Sequence, residues 1–396
     1  MDRPSRTLRC LVAAFGDPGH VFPAIALSRA LRERGHEVVL ETWPEWEELV
    51  AEEGIAFAPA DAYQVFPPPR SGNPGSGEAA VALMPLLEEF RPDVVVNDVL
   101  TVAPSLSAEL FGARRVTLVP HLFPEGAAGL PPFSIGAFPP RTAIGRSAWK
   151  AIGRAMRHGL DIGRDDLNAQ RAVAGLPPSE RFHGATSPDL VLVGTYPQLE
   201  YVDSLPDRAH VTGPMGFEPP HPDIEIPPGD EPLVLVAPST SQDPGHRLVR
   251  NALRGLADLP VRVLATTNRS GEAPDIEVPG NAKLVEWVRY SQVLPLASAV
   301  ICHGGHGTMA RALGAGVPVL ACPIAGDMNE NAVRLAWSGG GLSVRWSLAG
   351  PRAIEWATAE LLADPAYRSA AGEIARWDRE NDGPLEGARL IESLAG

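Results

Sequence analysis

Between residues 284 and 332 an apolar run of strand length, Ser298 to Cys302, ends in His303-Gly304-Gly305-His306-Gly307-Thr308 and passes at once into a helical pattern, Met309 to Leu313. A strand, a glycine turn and a helix start follow one another without a gap, which commits this part of the chain to an α/β layer. Three glycines let a ligand approach the backbone with no Cβ atoms in the way. The free N–H groups of the helix's first turn face the same space with the positive end of its dipole. The expected guest is an anion, above all phosphate, and His303 adds a charged hydrogen bond to it if protonated locally. By itself the turn is better read as close packing of helix on strand.

The flanks of the turn shift that balance. Trp287 closes the preceding strand, where an indole face suits a nucleobase. Asp327 follows the next strand, Pro318 to Cys322, where a carboxylate suits sugar hydroxyls. Trp287 as a core aromatic and Asp327 as a helix cap are the bland alternatives. Base, phosphate and sugar contacts at the ends of successive strands are nevertheless what ligand sites in open α/β sheets present.

With 396 residues the chain exceeds the range in which one core keeps growing, so two domains of roughly 200 residues are expected. A net charge of −14, with no basic stripe set against it, argues against nucleic acid and anionic membrane surfaces as partners. Cys10, Cys302 and Cys322 fall in apolar runs without a CxxC partner, so buried free thiols and a cytoplasmic compartment are expected. No apolar run reaches transmembrane length, which argues against integral membrane association.

Leu8 to Phe15 reads as a buried strand, Gly16 to His20 as a loop, and Ala24, Leu27 and Leu31 as one helix face stopped by Gly35; Val38 to Leu40 begins a second strand. This βαβ unit predicts a doubly wound first domain. The loop lacks GxGxxG, which disfavours a dinucleotide fingerprint, although Glu41 stands near the place of its acidic residue. His20 falls at the carboxyl end of the first strand. Asp98 ends a later buried strand, Val94 to Asp98, and is its natural partner, able to fix a ring tautomer and stabilise an imidazolium. Asp98 is also placed to cap the helix that follows, and Asp17 is close enough to be a rival base.

Residues 63 to 77 read as a Pro- and Gly-rich loop. His121, Phe123, Phe133 and Phe138 lie among prolines after the strand Val116 to Val119 and suit the wall of a pocket for a flat apolar guest. A long helix is expected from about 142 to 174, then a strand near Asp189 to Val193. Residues 213 to 231 hold many prolines and acids and read as a linker. Leu233 to Ala237 restarts the βα alternation, with Ser239 and Thr240 in the next loop, and strands near Val261 to Ala265 and Lys283 to Val285 lead to the glycine turn. The resulting division is 1–212, 213–231, 232–378 and a tail helix, 379–396.

The segment from Trp287 to Asp327 resembles the donor-binding signature of family 1 glycosyltransferases with the GT-B fold: a Trp, a His opening a small-residue turn that ends in Ser or Thr, then "GVP", then Pro and an Asp-Gln pair, of which this chain keeps the Asp. Within that family the chain is most similar to bacterial enzymes that attach sugars to antibiotics and other secondary metabolites. The resemblance implies two Rossmann-like domains facing across a cleft, with the tail helix returning to the first. It implies that Gly19-His20-Val21-Phe22-Pro23 is the family's "GHxxP", with His20 as general base oriented by Asp98. Donor contacts are implied for Ser239, Thr240, Trp287, Val288, His303, Gly305, His306, Gly307, Thr308, Asp327 and Met328.

The implied reaction is an inverting, metal-independent transfer from a nucleotide sugar to a small hydrophobic acceptor, with no cofactor beyond the co-substrate. The His303–His306 spacing resembles that of metal ligands, but a glycine turn without nearby acids lacks the rest of the set. Where plant members carry a ribose-binding Glu this chain has Arg311, which points to a dTDP-sugar. Met328 stands where the usual Gln pairs with a sugar hydroxyl, which points to a deoxysugar. A nucleotide-sugar epimerase of the same fold and a non-catalytic partner of a biosynthetic pathway are the rival readings, and a homodimer is left open.

Overall fold

The computed structural model describes residues 6–60, 75–182, 186–201, 203, 205–239, 243, 245–268 and 275–396. The first half runs β1 (Arg9–Ala13), α1 (Pro18–Glu33), β2 (Glu37–Thr42), α2 (Glu47–Glu52), β3 (Ala56–Pro59), α3 (Ser76–Ala82), α4 (Met84–Phe90), β4 (Val94–Asp98), α5 (Ala103–Phe111), β5 (Arg114–Val119), α6 (Ala143–Ala155), α7 (Arg157–Val173), β6 (Leu190–Val193) and β7 (Ala209–Val211). Its strands form a parallel sheet in the order β3-β2-β1-β4-β5-β6-β7. The central strand β4, VVVND, is buried at every position, as a parallel strand covered on both faces must be. The order reverses beside β1, which the chain leaves toward β2 and rejoins from the other side with β4.

The second half repeats the plan with β8 (Leu233–Ala237), α8 (Arg247–Leu256), β9 (Arg262–Thr266), β10 (Ala282–Val285), α9 (Tyr290–Val293), β11 (Ala297–Cys302), α10 (His306–Gly314), β12 (Val319–Ala321), α11 (Asp327–Ser338), β13 (Gly341–Ser343), α12 (Pro351–Ala363), α13 (Pro365–Glu380) and α14 (Gly383–Ala395). The sheet order is β10-β9-β8-β11-β12-β13, reversing beside β8. Each domain therefore has one switch point, β1/β4 in the first and β8/β11 in the second, and crevices at such points are where open α/β sheets bind ligands.

Residues 213–231 are a packed strap and not a loose linker. Met215 and Phe217 enter the first core, while Ile224 and Ile226 rest on the second. Helix α14 returns to the first domain, where Ala388 and Ile391 join the core built on α1 and β1. The two crossings between domains lie side by side: a Cβ on Gly383 would come within 2.7 Å of the Gly213 carbonyl.

Several local expectations are corrected. The helix expected from 142 to 174 is broken at Met156 into α6 and α7. Helix α1 begins at Pro18, so His20 lies in its first turn and Pro23 inside it. Of the loop expected over 63–77, residues 63–74 lie outside the described residues, and Ser76 and Gly77 are already helical; a Cβ on Gly77 would meet the Gln170 carbonyl at 2.3 Å, so glycine there lets α3 lie on α7. Strands β3, β7 and β13 are too short to show a period in sequence. Cys10, Cys302 and Cys322 are all buried free thiols, which burial pushes up to about 12.

Candidate active site

Both sequence-predicted catalytic residues meet at the first switch point. Helix α1 follows β1 so closely that its third residue, His20, overhangs the carboxyl end of the sheet, and Asp98 ends β4 next door. His20 Nδ1 lies 2.7 Å from Asp98 Oδ2, with the carboxylate almost fully buried. The other carboxylate oxygen accepts from the Leu100 amide at 2.8 Å, so Asp98 is held at both ends. Its proximity to the carboxylate places the ring proton on Nδ1 and leaves the Nε2 lone pair for an incoming hydroxyl. Burial alone would lower the His20 pKa; the Asp98 charge and hydrogen bond, with Asp17 and Asp327 behind them, raise it above its ordinary value. Asp17 itself caps α1, accepting from the Gly19 amide at 3.0 Å, and that local role accounts for its carboxylate.

His121 stands edge-on to His20, ring centroids 6.2 Å apart, and Phe133 stacks on its other side at 6.1 Å. Its Nδ1 is 2.8 Å from the Leu122 carbonyl, so that nitrogen donates and Nε2 can only accept. Burial and the neighbouring His20 keep this ring below its ordinary pKa against the pull of Asp327. The aromatics expected beside it divide. Phe133 belongs to the site, and Phe138 is 56% exposed. Phe123 is a correction: it is 4% exposed, packed with Val119, Val191 and Val193, because its amide donates to Glu200 Oε2 at 2.9 Å and turns the residue inward.

The second switch point supplies the other half. Gly304, at φ +85°, makes the bend after β11, and α10 starts at His306, leaving the amides of His306, Gly307 and Thr308 without intrahelical acceptors. The His303 ring folds over Gly305, where a Cβ would stand 2.3 Å from its Nε2. Burial lowers the His303 pKa, opposed by the Ala237 carbonyl and by Asp327. Asp327 opens α11, accepts from Asn331 at 3.2 Å, and its field reaches His303 in its own domain and His20 and His121 in the other. It occupies the middle of the cleft. Asn331, fully buried, also donates to the Gly304 carbonyl at 3.0 Å, joining the glycine turn to α11; sequence reasoning missed it, and its only signal was a polar residue one helical turn beyond Asp327.

Other expected donor contacts fall differently. His306 points away from the turn into the first domain, Nε2 2.9 Å from Thr195 Oγ1, and burial pushes its pKa down to about 3. The Thr308 hydroxyl pairs with Tyr290 OH at 3.0 Å, leaving its amide as the group directed by the helix start. Trp287 lies in the loop after β10 with His221 against one face, centroids 5.4 Å apart. Val288 is buried in the second core, so only its backbone can serve a ligand. Ser239 is buried just after β8, Met328 is half-buried in α11, and Thr240 lies outside the described residues. Arg311 turns its guanidinium over the Tyr290 ring and onto the Phe217 carbonyl. Among the described residues no three His, Cys, Asp or Glu side chains gather as a metal site, and no helix is long and apolar enough to cross a membrane.

Residues 10–111 match the glycosyltransferase family 28 N-terminal domain, and residues 250–394 match the C-terminal domain of the erythromycin biosynthesis protein CIII-like group. The 4'-demethylrebeccamycin synthase of Lentzea aerocolonigenes is 26% identical over 98% of this chain and 99% of its own length. The O-mycaminosyltylonolide 6-deoxyallosyltransferase of Streptomyces fradiae is 29% identical over 83% of each. The solved structure of glycosyltransferase VinC in complex with DTDP superposes with a TM-score of 0.72 at 21% identity, covering 98% of this chain and 99% of that one. Two parallel-sheet domains whose switch points face each other across a cleft, carrying these matched halves, define an enzyme: a glycosyltransferase of GT-B fold. Its homologues and structural neighbours are natural-product glycosyltransferases of that fold.

Proposed function

We propose that this enzyme moves a deoxysugar from a dTDP-sugar to a hydrophobic secondary-metabolite acceptor, with inversion at the anomeric carbon. The observation that carries the reading is the His20–Asp98 pair, poised at 2.7 Å opposite a glycine turn that opens a helix. His20 Nε2 takes the proton of the acceptor hydroxyl as its oxygen bonds to C1 of the sugar. The C1–O bond to the diphosphate breaks on the far face, and its electron pair leaves with the diphosphate. Asp98 stabilises the imidazolium. The departing charge meets the amides of His306, Gly307 and Thr308 and the positive end of α10, which supply charge stabilisation from the protein's own groups.

Donor choice rests on what the cleft offers. The thioether of Met328 cannot pair with a sugar hydroxyl, and Arg311, engaged with Tyr290 and Phe217, puts no carboxylate at its helical position for a ribose 2′-hydroxyl. The VinC structure holds DTDP, and the Streptomyces relative is by name a deoxysugar transferase. On the acceptor side, His121 Nε2 and the Phe133 face suit a flat aglycone with one hydroxyl to donate. Incubating the enzyme with dTDP- and UDP-sugars against a panel of aromatic and polyketide acceptors, followed by mass spectrometry and by NMR of the anomeric configuration, tests the reading. A deoxysugar product of inverted configuration from a dTDP donor is expected; product from UDP-glucose alone overturns the donor assignment.

A further inference from the structure

Charge is unevenly spread over this acidic chain. From Gly126 to Leu160 there is no Asp or Glu, while Arg141, Arg146, Lys150, Arg154 and Arg157 all fall inside that stretch. Four of these cations recur at spacings of four, four and three residues, which sets them on one side of α6 and its junction with α7. The other side carries Ile144, Ala148, Ala151, Ile152 and Ala155. Helix α6 contains no buried residue: Ile144 is 84% and Ile152 is 41% exposed. Thr142 caps it, Oγ1 accepting from the Gly145 amide at 3.1 Å, so the helix is formed while its apolar side has no cover. Ile135 and Phe138 of the preceding loop are exposed as well, and Phe133 of that loop stacks on His121 at the cleft.

We propose that α6 is an interfacial helix that lies in the headgroup layer of an anionic bilayer, Ile144 and Ile152 inserted and the cations of the opposite, polar side held among the lipid phosphates. A cationic polar face opposite an apolar one is what binding in a bilayer interface requires. The five cations of the acid-free stretch leave the rest of the chain with a net charge of −19, so the local excess at α6 favours docking through this face. Screening over about 8 Å at physiological salt keeps the repulsion of that net charge from cancelling contact at α6. The average composition, which argued against anionic membranes, conceals this local excess. Docking would bring the cleft's apolar rim to the phase in which a lipophilic acceptor dissolves, a consequence that rests on the proposed acceptor class; the docking itself does not.

Sedimentation of the full chain with vesicles of equimolar phosphatidylglycerol and phosphatidylcholine, against phosphatidylcholine alone, tests the proposal. Protein is expected to sediment with the anionic vesicles only and to be released by high salt. The exposed-site variants R146E/K150E/R154E and I144S/I152S are each expected to lower the bound fraction at least about tenfold, with transfer to a soluble acceptor unchanged. Absence of binding to anionic vesicles, or binding that neither variant alters, overturns it. So does a wild-type dimer seen by light scattering that I144S/I152S converts to monomer, since the face then belongs to a second copy of this chain. Vesicle binding needs no turnover, so its failure and a failure of the transfer assay are separately visible.

Discussion

His306 Nε2, on the first residue of α10, lies 2.9 Å from Thr195 Oγ1 in the other domain. Burial holds the ring neutral, with a pKa pushed down to about 3 from 6.5, and the positive end of α10 acts in the same direction. The native state therefore refuses a proton that the unfolded chain accepts below 6.5, and stability present above that pH is lost as pH falls toward the folded value. Between pH 6.5 and pH 5 the loss is about 2 kcal/mol. A His306→Gln variant, which keeps a polar group in reach of Thr195, should show that much less acid sensitivity in its urea midpoint. Equal pH slopes for variant and wild type would refute the assignment.

The linkage at His20 has the opposite sign. Its pKa is raised by Asp98, so the pair stabilises the fold below 6.5 and that contribution disappears as pH rises through the raised value. The proposed mechanism needs the neutral ring, so kcat/KM should climb with pH along a limb that lies above 6.5. Removing the base in His20→Ala should cost roughly 10²–10⁴-fold. In Asp98→Asn burial becomes the dominant influence on the ring, and the limb should move to lower pH while the plateau falls. A limb that stays in place in Asp98→Asn belongs to some other group.

Adjacent glycines of the turn at 303–308 should fail in different ways. Gly305 has an ordinary backbone, φ −64° and ψ 133°, so alanine is conformationally acceptable there, yet its Cβ would stand 2.3 Å from His303 Nε2 and force the ring off the turn. Gly305→Ala is expected to weaken dTDP binding in calorimetry by about tenfold, the scale of one charge-assisted hydrogen bond, with the melting temperature nearly unchanged. Gly304 is at φ +85°, and Gly304→Ala should instead destabilise the protein by about 1–2 kcal/mol. The reverse pattern would mean that His303 is not part of the donor site.

What sequence revealed, and what it hid, follows from the range of each interaction. The turn at 303–308 was legible because an apolar strand, glycines and a helical period are all local signals, and His20 and Asp98 because strand ends at a switch point follow from the βα alternation. His306 was hidden because its partner, Thr195, is distant in sequence. The inward turn of Phe123 depends on Glu200, equally far along the chain. The cations of α6 can be counted in sequence, but that the helix's apolar side lies uncovered shows only in the fold.

Helix α11 carries Asp327 at its start and is anchored by a buried charge cluster further along. Arg334 bonds Glu330 at 2.9 Å in the same helix and Glu200 at 2.8 Å in the connection between β6 and β7 of the first domain, and its guanidinium lies over the Tyr201 ring. All three charged side chains are nearly inaccessible, and burial raises the Glu330 pKa against the pull of Arg334. One guanidinium thus compensates Glu200 outright and shares itself with a carboxyl that tends to keep its proton. Arg334→Met preserves much of the volume and strands the Glu200 carboxylate, a change that costs about 3–5 kcal/mol where a buried pair loses one partner. Adding Glu200→Gln to that variant removes the stranded charge and should restore about half or more of the loss. Urea unfolding of the two variants at neutral pH checks this; if the double variant is no more stable than Arg334→Met, the cost came from packing on Tyr201 and not from the uncompensated carboxylate.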